Sequence, residues 1–73
     1  MEKTELVQIG ENIKKRREKQ EISQMKFAEL MGMHLNSVSL MERGRTNIPV
    51  LQILKIAKIL NCKATDLFKG VKG

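Results

Sequence analysis

Side chains able to recognise another molecule gather in one part of the sequence, the run from Leu35 to Asn47. Asn36 carries a donor and an acceptor side by side, Ser37 and Ser39 carry hydroxyls, and Arg43 and Arg45 carry planar cations. Their chemistry is hydrogen bonding and charge. Reaction chemistry is poorly served: acids, bases and nucleophiles do not cluster, and 73 residues leave no deep pocket, so an enzyme is not expected. His34 is the single histidine and Cys62 the single cysteine, which excludes an internal disulfide and a multi-cysteine zinc site; His34 is not expected to bind a metal, and no cofactor is implied. Cys62 adjoins the apolar stretch ending at Leu60 and reads as a small buried hydrophobe. One charged residue stands out by position. Arg17 follows Ile13 by one turn, on an apolar stripe, and a guanidinium there needs a partner.

The elements that would position these groups are all helical. Leu6, Ile9 and Ile13 recur at helical spacing and predict a first helix from about Glu5 to Gln20. Its far end, Lys14-Lys15-Arg16-Arg17-Glu18-Lys19, is strongly basic, and Lys14, Lys15 and Lys19 read as a solvated face. Ser23 is a candidate N-cap for a helix over 24–31, with Phe27, Ala28 and Met31 inward and Lys26 and Glu29 outward. Gly32 stops it, Met33 plugs the turn, and a third helix runs over 35–43 until Gly44. Pro49 pre-sets a fourth helix over 50–60, with Val50, Ile53, Leu54, Ala57 and Leu60 facing inward. A short fifth helix over 63–68 brings the expectation to five helices in one all-α domain spanning 1–73, frayed over 70–73.

Between residues 24 and 43 the residue types obey a tight geometric rule. Two helices crossing closely need a small residue, a turn glycine, an apolar plug and anchors on the second helix, at set offsets. Ala28, Gly32, Met33, Val38 and Met41 supply them in that order. At 100° per residue, Asn36, Ser39, Leu40 and Arg43 then lie opposite Val38 and Met41, on the outer side of the third helix.

This pattern resembles the Xre and lambda-repressor-like helix-turn-helix family, which includes phage repressors and Cro proteins. The resemblance runs from Ile9-Gly10-Glu11-Asn12-Ile13 and Arg17 through Ser23-Gln24, Phe27-Ala28 and Met41-Glu42-Arg43-Gly44. It continues over Leu54-Lys55-Ile56-Ala57-Lys58-Ile59-Leu60 to Asp66-Leu67-Phe68. Met41-Glu42-Arg43-Gly44-Arg45-Thr46-Asn47 is also similar to the controller proteins of restriction–modification systems. The resemblance implies a five-helix bundle that docks helix three in the major groove of double-stranded DNA, commonly as a homodimer. It pairs Arg17 with Glu42, places Gln24, Arg43, Arg45 and Asn47 on phosphates, and leaves base reading to Leu35, Asn36, Ser37, Ser39 and Leu40. Leu35 could instead pack on the neighbouring helix start, and Asn47 could instead cap helix four. Arg16, Glu21, His34 and Lys63 depart from the family's residue types. Glu21 in particular would cost up to about 1 kcal/mol in the left-handed conformation usually given to glycine.

Bulk properties agree with this expectation. A formal charge of +6 favours a polyanionic partner, and 41% hydrophobic with 30% charged residues describes a folded globule. The opening Met1-Glu2-Lys3-Thr4-Glu5 lacks a signal-like apolar core, and lysines interrupt the longest apolar stretches, so the expected setting is the cytoplasm and not a membrane. Leu67, Phe68 and Val71 form an apolar end suited to dimer contact. The leading function class is a transcriptional regulator such as a repressor, without a ligand-sensing domain. The alternative is an antitoxin-type module that sequesters a toxin, which a neighbouring toxin gene would reveal. Single-strand or RNA binding is disfavoured, since Trp 0, Tyr 0 and Phe 2 leave no stacking platform when both phenylalanines sit at core-like positions.

Overall fold

Thr4 opens the first helix by accepting the Val7 N–H on its side-chain oxygen at 3.2 Å, and α1 runs Glu5–Lys19. Ser23 does the same for the Lys26 N–H at 3.0 Å and starts α2, Gln24–Met31. The third and fourth helices, α3 (Leu35–Glu42) and α4 (Val50–Ile59), start at His34 and Pro49 without a side-chain cap. This computed structural model describes residues 4–72, so the reading of Met1, Glu2 and Lys3 lies outside the described residues.

All four helices end in the same way. Glu21, Gly32, Gly44 and Asn61 take positive φ values of 58°, 70°, 71° and 54°. The residue after each one donates its N–H five residues back, from Ile22, Met33, Arg45 and Cys62 to the carbonyls of Arg17, Ala28, Leu40 and Ala57. This is the Schellman closure, in which a left-handed residue turns the chain so that orphan carbonyls are satisfied. Two of the four positions manage it without glycine, and Glu21 takes the left-handed conformation usually given to glycine.

The expected fifth α-helix is a correction: residues Ala64–Phe68 form a single 3-10 turn, leaving four α-helices and that turn among the described residues. The segment is too short for α-helical bonds to accumulate, and a tighter turn satisfies it sooner. The Asp66 carboxylate accepts the Lys63 N–H at 2.9 Å across its start, and that hydrogen bond holds Asp66 below the ordinary carboxylate pKa.

One core unites the elements. Ile9, Ile13, Phe27, Val38, Met41, Ile53, Ile56, Leu60 and Leu67 are all buried in it. Helix α4 enters the core with a different face from the expected one. Ile53, Ile56, Ala57 and Leu60 point inward, whereas Val50 and Leu54, assigned to the interior by periodicity, are 74% and 52% exposed. Nearly every position of Val50-Leu51-Gln52-Ile53-Leu54-Lys55-Ile56-Ala57 is apolar, so several stripes compete and packing decides among them. The apolar C-terminal end also differs: Leu67 is fully buried, Val71 is half-buried against the core, and Phe68, placed in the core by type, is 43% exposed. Of the tail expected to fray, Val71 donates its N–H to Phe68 at 3.0 Å, and Gly73 lies outside the described residues.

Two contacts fasten α1, one to α3 and one to the terminal turn. A Cβ on Gly10 would lie 2.6 Å from the backbone carbonyl oxygens of both Met41 and Glu42, so α1 presents bare backbone to the end of α3. Further along, Asn12 gives both hydrogens of its amide to the carbonyls of Leu67 and Lys69, at 2.9 and 2.8 Å, and so straps the last turn to α1.

Candidate nucleic-acid interface

Helices α2 and α3 meet through the Gly32 turn with Met33 half-buried behind it, which seats Val38 and Met41 in the core. Lys55 of α4 donates its ammonium to the Met31 carbonyl at 3.1 Å, placing a cation at the C-terminal end of α2 where the helix dipole favours one. Seated this way, α3 turns its other side to solvent. Leu35, Asn36 and Arg43 are exposed, while Ser37, Ser39 and Leu40 are half-buried on its flanks.

Most of the sequence-expected site residues divide between two clefts, one on each side of α3, while Leu35 and Asn36 line neither. The larger, about 510 Å³, lies toward α1 and brings together Gln24, Ser39, Arg43 and Arg45, with Lys14 reaching in from α1. The smaller, about 220 Å³, lies toward α4 and is lined by Ser37, Leu40, Thr46 and Asn47. Asn47 is thus separated from the two arginines with which the sequence grouped it. It does not cap helix four either, because Pro49 occupies that position. Leu40 sits beside Met33, Met41 and Pro49 in the smaller cleft, so it presents an edge outward and not a whole side chain.

Behind this surface lies a four-part network. Arg17 donates to both carboxylate oxygens of Glu42, Nε to Oε2 at 2.6 Å and Nη2 to Oε1 at 3.1 Å, with side chains 8% and 2% exposed. The third arm of the guanidinium donates to the Ile22 carbonyl at 2.7 Å, in the link between α1 and α2. Gln24, the first residue of α2, adds its amide N–H to Glu42 Oε1 at 2.9 Å. A single carboxylate therefore ties α1, α2 and α3 together. Two parallel hydrogen bonds fix orientation as well as distance, so the network determines how α3 is presented. The sequence pointed to the Arg17–Glu42 pair, but not to Ile22 or to the Gln24 link. Residues 18 apart on different helices leave no periodic signal.

The surroundings of the expected departures are also visible. Arg16, placed where an aliphatic residue is usual, is half-buried and lies 3.7 Å from Asp66. Cys62 is half-buried, and burial raises its thiol pKa. Among the described residues no group of His, Cys, Asp and Glu could hold a metal ion, and no helix is long and apolar enough to cross a membrane.

Two helices crossing at a glycine turn, with the second helix exposed between a basic cleft and a polar one, define a DNA-binding helix-turn-helix protein. The chain belongs to the helix-turn-helix family, in its Xre and lambda-repressor-like branch, and the family's profile matches residues 13–67. Among solved structures it is similar to the restriction-modification controller protein C.AhdI from Aeromonas hydrophila. The two are 33% identical, with a TM-score of 0.81 over 86% of this chain and 96% of that one. It is also similar in fold to the clp gene regulator ClgR from C. glutamicum, at 18% identity and a TM-score of 0.84, over 90% of this chain and 86% of that one. Hydroxypropylphosphonic acid epoxidase from S. wedmorenis contains a like fold, 25% identical with a TM-score of 0.87; the match covers 97% of this chain and 38% of the longer epoxidase chain. No curated protein matches it in sequence.

Proposed function

We propose that this chain is a sequence-specific transcriptional regulator that seats α3 in the major groove and acts by binding, without catalysis. The observation that carries the reading is the position of α3, exposed along one side and flanked by a cleft on each edge. A helix in the major groove has a sugar–phosphate strand on either hand. Gln24, Arg43 and Arg45 suit one strand and Asn47 the other, while Leu35, Asn36, Ser37, Ser39 and Leu40 face the bases between them. The likeness to a restriction-modification controller supports a regulator of that kind, with repression as its simplest mode and the cytoplasm as its setting.

The test is to select binding sites from random duplex DNA and then measure variants on the selected site. Arg45→Ala should weaken binding to every duplex alike and lower the salt slope by about one unit. Asn36→Ala should change preference at one base pair, by about 1–3 kcal/mol. If Arg45→Ala shifted the preferred sequence and Asn36→Ala did not, the orientation of α3 on DNA would have to be reversed.

The same reading includes a homodimer, and the surface that supports it is α4 instead of the C-terminal end. Val50, Leu51 and Leu54, at 74%, 79% and 52% exposure, share one side of the helix and leave an aliphatic face on a small domain. A two-fold site would then have half-sites roughly one helical turn, about 34 Å, apart or a multiple of that. Leu51→Glu with Leu54→Glu should yield a monomer in sedimentation and protect a single half-site. A wild-type chain that stays monomeric at high concentration rules the dimer out.

A further inference from the structure

Lys14 and Lys15 are adjacent, equally charged and both exposed, yet the fold sends them to different places. Lys14 lines the larger cleft beside α3, with Gln24, Arg43 and Arg45. Lys15 lines a separate hollow between α1 and the terminal turn, which is also basic, with Asn12, Arg16, Lys19, Asp66 and Lys69 around it. One step along a helix is 100° of rotation, enough to place consecutive side chains on different surfaces.

We propose that Lys14 completes a phosphate site in the α1–α3 cleft, so that α1 and α3 grip the same backbone phosphodiester of DNA. The inference rests on the regulator reading above and adds a residue to its phosphate contacts. Three cations, Lys14, Arg43 and Arg45, line the cleft with two carboxylates, Glu11 and Glu42. Glu42 already receives the Arg17 guanidinium at 2.6 Å, so its charge is largely answered from behind and the cleft mouth is left net positive. The Gly10 contact holds α1 against the end of α3, which fixes Lys14 relative to Arg43 and Arg45 without any side chain having to bridge them. A lysine suits this place, since its ammonium is a compact point charge on a long stem that can follow a phosphate at the cleft edge.

The two lysines provide an internal control, since either alanine variant removes one positive charge from the same helix. Binding of the full chain to its selected duplex is measured from 0.05 to 0.3 M salt for wild type, Lys14→Ala, Lys14→Arg and Lys15→Ala, each checked for unchanged melting. Loss of one phosphate contact lowers the salt slope by about one unit and the affinity roughly eightfold at 0.1 M salt. Lys14→Ala should show both effects, Lys14→Arg should restore most of the binding, and Lys15→Ala should stay within about twofold of wild type, since exposed charges act weakly beyond about 10 Å. Phosphate-ethylation interference supplies the second readout: one modified phosphate should impede wild type and Lys15→Ala strongly and Lys14→Ala less, because only Arg43 and Arg45 then remain on it. Inorganic phosphate added at matched ionic strength should not compete, which separates a backbone phosphodiester from a free-anion pocket. Equal losses for the two alanine variants, or an interference pattern unchanged by Lys14→Ala, would overturn the proposal while leaving the regulator reading intact. A wild-type chain that binds no duplex would remove both.

Discussion

Arg17→Met alone is expected to cost about 3–5 kcal/mol of folding stability, and the double variant Arg17→Met with Glu42→Leu far less. The single change strands a carboxylate that is 2% exposed, with the Gln24 amide as its remaining donor, and it also abandons the Ile22 carbonyl. In a small domain with about 5 kcal/mol to spare, such a loss approaches unfolding. Removing both charges leaves apolar groups of similar size and no stranded ion, so the core should close around them. A double-mutant cycle by urea melting reads the coupling directly. Losses that simply add would mean that the pair contributes nothing jointly. The double variant carries a second expectation: nearly restored stability with impaired DNA binding, because α3 would no longer be oriented through Glu42 and Gln24.

Gly10→Ala is expected to destabilise the protein by about 1–3 kcal/mol, against the direction of helix propensity. In an exposed helix interior the same change stabilises by about 1 kcal/mol, so the sign alone is informative. The opposing force is steric. A methyl at residue 10 would press on two backbone carbonyl oxygens of α3 at 2.6 Å, and backbone cannot rotate aside as a side chain can. Relief requires α3 to tilt away from α1, which would misplace the reading surface as well as open the core. Thermal melting and duplex affinity should therefore fall together. A stabilised Gly10→Ala variant would mean that α1 and α3 can part enough to admit a methyl without cost.

The sequence was most informative where a geometric constraint left one residue type to choose. Ala28, Gly32, Met33, Val38 and Met41 announce the crossing of α2 and α3 because each position restricts size, polarity or backbone conformation, and the five occur together at the required offsets. Arg17 was legible for a related reason, as a charge on an apolar stripe. Legibility failed where types are interchangeable. Helix α4 is apolar nearly all round, so Leu54 and Ile56 look alike in sequence, and only packing exposes one and buries the other. Phe68 has the type of a core residue and the depth of a surface one. Lys14 and Lys15 differ only in which neighbour the fold brings to them, and Gln24 meets Glu42 across 18 residues that carry no common period. The terminal turn was misread for its brevity, since five residues can close as a 3-10 turn with the same apolar spacing.

The amide of Asn12 has a further meaning in time. Its two bonds reach across 55 and 57 residues, joining the first helix to the last turn of the chain. Chains are made from the N-terminus at a few to about twenty residues each second, so α1 emerges seconds before its partner exists. Until Leu67 and Lys69 have been delivered, α1 lacks both its strap and the wall of its core that the terminal turn supplies. The strap on α1 therefore closes only after residues 67–69 have been made, whatever else of the fold has formed by then.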